Sequence, residues 1–239
     1  MKTIGLLGGM SWESTVPYYR EINQRVAKAL GGLHSAKIVL YSVDFAEVEA
    51  QQTRGDWAAS ARLLGDAARG LVAAGAEAIV ICTNTMHKVA REVEAAAGVP
   101  LLHIADATAD ALLAAGIRKT ALLGTKYTML QDFYKKRLVD RGLEILIPDD
   151  AGVEVVNRVI FEELCLGILR NESRAAFVEI IRQLQSQGAE AVILGCTEIG
   201  LLIGEKDSPL PVFDTTLLHA AKAAEFALSD ETPANLAVA

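Results

Sequence analysis

The chain has 239 residues, 51% of them apolar, 22% charged and 5% aromatic, with a formal net charge of −7. That is enough for one large or two small domains with substantial cores. An acidic chain (pI about 5.2) whose longest basic run is Lys135-Lys136-Arg137, in a helical stretch, lacks the grouped cations that nucleic-acid binding needs.

Taken in chain order, Ile4-Gly5-Leu6-Leu7 predicts a strand entering the turn Gly8-Gly9, followed by a helix over residues 15–30 that Gly31-Gly32 ends. Residues 37–43 read as the second strand, 57–74 as a helix stopped at Gly75, 78–81 as the third strand, 86–97 as a helix and 99–104 as a further strand. The order then recurs. A strand is expected at 120–123 before Gly124-Thr125, a helix at 128–140, a strand at 143–147 and helices at 152–169 and 173–187. Strands at 191–194 and 210–213 and a helix at 216–228 complete the pattern, and residues 231–239 are expected to fray. Strands alternating with helices imply an α/β protein with mainly parallel sheets flanked by helices.

The recurrence extends to the residues. Gly75-Ala76-Glu77-Ala78-Ile79-Val80-Ile81-Cys82-Thr83 resembles Gly188-Ala189-Glu190-Ala191-Val192-Ile193-Leu194-Gly195-Cys196-Thr197. Leu6-Leu7-Gly8 matches Leu122-Leu123-Gly124, and Val99-Pro100-Leu101-Leu102 echoes Leu210-Pro211-Val212-Phe213. Matches in one order at nearly one offset imply two homologous halves related by a pseudo-twofold axis.

Three cysteines without framework spacing argue against a disulfide scaffold and for a reducing compartment. Neither a signal peptide nor a membrane span is visible, so a cytoplasmic protein with no membrane partner is expected.

Ligands of open parallel sheets bind beyond the carboxyl ends of strands. Each half places there a glycine turn (Gly8-Gly9-Met10-Ser11; Gly124-Thr125-Lys126-Tyr127) and a Cys-Thr pair (Cys82-Thr83-Asn84-Thr85; Cys196-Thr197-Glu198). If the halves face each other, the two cysteines flank one cleft. Racemisation fits such a pair. One group removes a proton from one face of a carbon, its twin returns one to the other, and the roles swap with substrate hand.

The helix expected after Cys82 would favour its thiolate. Glu198 acts the other way on Cys196 or accepts its proton. Asn84, Thr85, Thr125 and Thr197 are the candidate donors for a developing carbanion. The bland alternative, that a Cys ending an apolar strand is core filler, is weakened by the duplication but holds for Cys165. A zinc site from Cys82, His87 and Cys196 matches no metal spacing. His34 and His219 read as structural or exposed. The opening glycines are not a dinucleotide fingerprint, and Asp44 is only a weak imitation of a ribose-binding acid.

These motifs resemble the aspartate/glutamate racemases that work without pyridoxal phosphate. Ile4-Gly5-Leu6-Leu7-Gly8-Gly9-Met10-Ser11, Cys82-Thr83-Asn84-Thr85-Met86-His87 and Gly195-Cys196-Thr197-Glu198 carry the likeness, and Met10 to Tyr19 looks most like the broad-specificity amino-acid racemases. The resemblance implies two flavodoxin-like domains with the active site at their interface. The first would span residues 1–98 plus 213–239, the second 99–212. It implies catalytic Cys82 and Cys196, no cofactor, a small amino-acid substrate and a homodimer. Asn84, Thr85 and Thr197 would hold the α-carboxylate, Met10 and Gln52 would line the pocket, and Thr83, Thr125 and Glu198 join the substrate-binding set.

The chain departs from the aspartate-specific members, which carry an Arg near Glu47 or Val48 and a Lys where Cys165 stands. Arg54, Lys126 or Arg158 would have to substitute, or the substrate carries a neutral polar side chain. Glutamate-specific relatives have an Asp at Met10 and a His at Glu198, so strict glutamate specificity is disfavoured. The rivals are a hydantoin racemase, a maleate-type isomerase or a malonate decarboxylase on the same scaffold, and a non-catalytic two-lobed amino-acid-binding protein.

Overall fold

The computed structural model describes residues 1–230; the segment expected to fray, 231–239, lies outside the described residues. In chain order the elements are β1 (Ile4–Gly8), α1 (Trp12–Leu30), β2 (Ile38–Ser42), α2 (Phe45–Arg54), α3 (Trp57–Ala73), β3 (Ala78–Ile81), α4 (Ala90–Ala97) and α5 (Ile104–Ala114). There follow β4 (Lys119–Gly124), α6 (Lys126–Leu130), α7 (Asp132–Val139), β5 (Glu144–Leu146), α8 (Asp150–Glu162), α9 (Asn171–Ser186), β6 (Ala191–Gly195), α10 (Ile199–Leu202), β7 (Val212–Asp214) and α11 (Thr215–Leu228). Short 3-10 turns cover Thr85–Val89 and Leu164–Leu166. The chain divides into two compact units. The first holds Met1–Cys82, Val89–His103 and the segment that begins at His219, and the second holds Thr83–Lys88 and Ile104–Leu218.

The first unit is built on a parallel sheet of order β2-β1-β3, in register Ile4↔Ile38 and Ile4↔Ala78. All five residues of β1 and all four of β3 are buried, which explains their unbroken apolar runs. Tyr18, Ile22 and Val26, four residues apart on α1, bury one helical face against Ile4, Leu6 and Val80, together with Ala220, Ala223, Ala224 and Ala227 of α11. His219 ties this core together. Tyr18 Oη donates to its Nδ1 (2.9 Å), so its Nε2–H donates to the Leu102 carbonyl (2.6 Å). Burial lowers its pKa to about 4 and keeps it neutral.

The second unit has a parallel sheet of order β5-β4-β6-β7. Its core joins Leu122, Leu123, Val192 and Ile193 of the strands to Val156 and Ile160 of α8 and Phe177 and Ile181 of α9. Glycines let β4 and β6 close up at their carboxyl ends. A Cβ on Gly124 would lie 2.7 Å from the Gly195 carbonyl oxygen. Among the described residues no helix is long and apolar enough to cross a membrane.

Several expectations are corrected. The strand expected at 99–104 is only an isolated bridge, Ile79↔Leu101. Pro100 has no N–H for a longer ladder, and Ile104 already begins α5, which the sequence reading missed along with α2. Asp44 is the N-cap of α2, accepting from Ala46 N (3.1 Å); that is a structural duty, not a ribose contact. The helix expected over 152–169 stops at Glu162. There Glu163 leaves helical geometry and its buried carboxylate accepts from Ser173 Oγ (2.6 Å). The expected helix at 128–140 is broken at Gln131, an extended residue between α6 and α7.

Candidate active site

Both candidate catalytic thiols sit one residue beyond the last paired position of a buried strand. Cys82 follows Ile81, the partner of Leu7, and its N–H donates to the Leu7 carbonyl (2.9 Å). Its thiol is fully buried and its nearest polar partner is the Val80 carbonyl, 3.8 Å away. Burial pushes the Cys82 thiol up. The helix expected to begin at Met86 and lower it is absent. A five-residue 3-10 turn stands there, and α4 starts only at Ala90, so no α-helical dipole acts close to the sulfur. In the same unit Met10 and Gln52 are buried, Met10 after the β1 turn and Gln52 in the last turn of α2. Gly9 makes that turn, with φ +90° and its α-carbon packed against the Val43 backbone.

Cys196 follows Gly195, the partner of Gly124. Its Sγ donates to Glu198 Oε2 (3.0 Å), which also accepts from Thr197 Oγ1 (2.9 Å). All three side chains are buried. Burial, then the Glu198 charge, then Cys165, push the Cys196 thiol well up. The Glu198 carboxylate accepts the thiol's hydrogen bond and its charge disfavours the thiolate.

The rest of the second unit's set converges from three loops. Thr85 Oγ1 and Thr125 Oγ1 share a hydrogen bond of 3.0 Å, and Thr125 also caps α6. Thr215 Oγ1 bridges Asn84 Oδ1 (3.2 Å) and the Leu194 carbonyl (2.7 Å), joining the Asn84 turn to the end of β6. Asn84 Nδ2 lies near enough to the Tyr134 phenol to favour its ionised form, yet no acceptor in hydrogen-bonding geometry reaches it. A buried donor left unpaired costs about 1–3 kcal/mol.

The family model for "Asp/Glu/Hydantoin racemase" matches residues 7–223. The chain belongs to that family. As an Asp/Glu/hydantoin racemase family member, it is an isomerase of the amino-acid racemase class. It is 26% identical over 216 residues to the broad specificity amino-acid racemase of Bacillus subtilis, covering 89% of this chain and 92% of that one. A Yersinia pestis protein assigned to the Asp/Glu racemases is 59% identical, with TM-score 0.88 over 95% of this chain and 100% of that one. An aspartate racemase homologue from Pyrococcus horikoshii is 40% identical, with TM-score 0.82 over 95% and 99%.

Within this racemase, two residues that brace the Asn84 turn went unread in the sequence. Thr215 carries no motif, and only the fold brings it to Asn84. His87 braces the same turn. Ile104 N donates to its Nε2 (3.2 Å), so Nδ1 carries the proton and donates to the Thr83 carbonyl (2.8 Å). Cys165, read as core filler, packs against the second unit's core from a 3-10 turn. Two of the three cations offered as substitutes are already engaged. Lys126 pairs with Glu154 (2.5 Å), and Arg158 with Glu163 (3.4 Å).

Proposed function

We propose that this racemase interconverts the enantiomers of a polar amino acid without a cofactor, by two-base proton transfer at Cα between Cys82 and Cys196. The substrate is aspartate- or glutamate-like, or one of several polar amino acids, and the working form is a cytoplasmic homodimer. The observation that carries the reading is the hydrogen bond from Cys196 to the buried Glu198 carboxylate, at a strand end that repeats the strand end bearing Cys82.

With Cys196 as the base, its thiol proton passes to Glu198 and the thiolate takes the Cα proton. The Cys82 thiol returns a proton to the opposite face and becomes the thiolate. Exchange of the Glu198 and Cys82 sites with solvent resets the pair. Because burial raises both thiols, the carbanion must be stabilised as it forms. Asn84 Nδ2 and the hydroxyls of Thr83, Thr85, Thr125 and Thr197 are the donors for the α-carboxylate. Met10 and Gln52 line the pocket. The pairing of Lys126 and Arg158 with acidic residues favours a neutral polar side chain or broad specificity over a dedicated dicarboxylate clamp.

A panel of L-amino acids, hydantoins and maleate followed by circular dichroism tests this reading. Loss of optical activity with one or more polar amino acids is expected. Turnover of hydantoins or maleate alone contradicts it, as does amino-acid binding without loss of rotation.

A further inference from the structure

We propose that Tyr134 is a positioning residue, and that its phenol sets which end of the Asn84 amide faces the substrate. What the amide then does for the substrate rests on the function proposed above.

Tyr134 stands on α7 with its side chain fully buried in the second unit. Burial pushes the phenol up, so the group stays protonated and has a single hydrogen to give. The direction of that hydrogen is set from the far end of a chain of contacts. The Ile104 carbonyl can only accept. Thr108 Oγ1 stands 2.8 Å from it and gives its hydrogen there. Toward Tyr134, Thr108 is then an acceptor, and Tyr134 Oη donates to it over 3.2 Å. With its hydrogen committed, the phenol oxygen has only lone pairs to offer. It also neighbours the Asn84 side chain, close enough for the amide to favour the ionised phenol. Lone pairs attract an N–H and repel an amide oxygen. Nδ2 is therefore turned to Tyr134 and Oδ1 away from it.

Thr215, at the other end of the amide, cannot make this choice. Its Oγ1 contacts both Asn84 Oδ1 (3.2 Å) and the Leu194 carbonyl (2.7 Å). One hydroxyl has one hydrogen, and the shorter contact is to a carbonyl that can only accept. With that hydrogen held mainly by Leu194, Thr215 would take an N–H from the amide at least as readily as it would give to the amide oxygen. A turned amide would also give a partner to Nδ2, a buried donor with none in good geometry. The two ends of a carboxamide have nearly the same shape, so packing does not choose between them. Hydrogen-bond direction does, and the phenol oxygen is what opposes the turn. A turned amide would present its oxygen to the substrate carboxylate where the proposed function needs an N–H. Tyr134 and Thr108 thus act on the substrate through Asn84.

The test uses the full chain, Tyr134→Phe and Thr108→Val, each of which removes one hydroxyl and keeps the shape of the side chain, with thermal melts to confirm folding. In Thr108→Val the phenol hydrogen is free to turn to Asn84 and hold the amide oxygen. Orientation is read by nuclear Overhauser cross-peaks in asparagine-labelled protein, with the Asn84 amide signals identified by their loss in Asn84→Ala. In the wild type the amide hydrogens should meet the Tyr134 ring and not the Thr215 methyl. In both variants they should meet the Thr215 methyl. KM should rise about tenfold in both, the scale of one hydrogen bond to a charged group, with kcat within a few-fold. Neither substitution should raise KM further in the Asn84→Ala background. Amide hydrogens that already face Thr215 in the wild type, or an amide that either variant leaves unturned, overturn the proposal. So does a KM rise that persists undiminished on top of Asn84→Ala, because it reaches the substrate by another route. The cross-peaks are read without turnover, so an amide held as stated in a protein that racemises no amino acid sinks the proposed function and leaves the role of Tyr134 in orienting Asn84 standing.

Discussion

The ends of β3 and β6 are the same strand end built twice with different hydrogen bonding. Each is a buried parallel strand whose next residue past the ladder is a cysteine followed by threonine. At the first, the thiol meets only a distant carbonyl. At the second, it donates to a carboxylate two residues on. Burial raises both thiols, but among the described residues only Cys196 donates to a carboxylate. In the two-base reaction proposed above, the difference means that a symmetrical reaction would run on unsymmetrical machinery. The two enantiomers have equal energies, so kcat/KM in the two directions must match, yet the steps inside each direction are free to differ.

The largest expected effect is the removal of either thiol. Cys82→Ala or Cys196→Ala should lower the racemisation rate by about 10²–10⁴-fold, the usual contribution of a positioned acid or base. A rate within a few-fold of wild type in either variant breaks the equivalence of the two strand ends.

The next concerns what supports each end. The first unit is held by a neutral His219, whose folded pKa of about 4 lies below its ordinary 6.5. The unfolded chain therefore binds the extra proton between those values. The stabilisation is fully present above pH about 6.5 and is lost as pH falls towards 4. It amounts to about 3 kcal/mol. Urea melts across this range should show the loss, and His219→Gln should flatten it while lowering stability at neutral pH.

Glu198→Gln sharpens the comparison directly. It removes the acceptor and also the charge that lifts the Cys196 thiol. Alkylation of Cys196 should begin at lower pH than in the wild type, while kcat/KM falls about 10²-fold, equally in both directions. The isotope effect with Cα-deuterated substrate should rise for the enantiomer whose proton Cys196 removes, and not for its mirror image. Equal rises for both enantiomers would show that Glu198 serves both ends alike.

The smallest effect is at Asn84. Replacement by Ala removes a donor that makes no hydrogen bond of good geometry in the free protein, so KM should rise about tenfold, a loss within the range for one hydrogen bond to a charged group. Stability, read by thermal melts, should change little beyond the loss of the Thr215 contact.

Much of this was legible in the residues. The buried runs of β1, β3, β4 and β6 and the glycine turns after β1 and β4 announced parallel α/β structure, and the repeated Cys-Thr drew attention to both strand ends. The helices α2 and α5 were missed for local reasons. Asp44 followed by Glu47 is a helix-start signal, but it was weighed as a ligand contact. Alanine-rich α5 follows Val99-Pro100-Leu101-Leu102, which reads as a strand although only Leu101 makes a bridge. Within the site, the Cys196–Glu198 contact was suggested by a spacing of two residues. The place of Thr215 was invisible, because only tertiary packing brings it to Asn84. The dipole argument for Cys82 failed because the chain leaves the strand in a 3-10 turn, and burial dominates the thiol.

Cα exchange in D₂O by the two single-thiol variants tests the central claim most directly, with deuterium followed separately in each enantiomer. The account predicts that Cys82→Ala exchanges one enantiomer with retention, and that Cys196→Ala exchanges the other. Exchange of the same enantiomer by both variants, or of both enantiomers by the variant lacking both thiols, would contradict it.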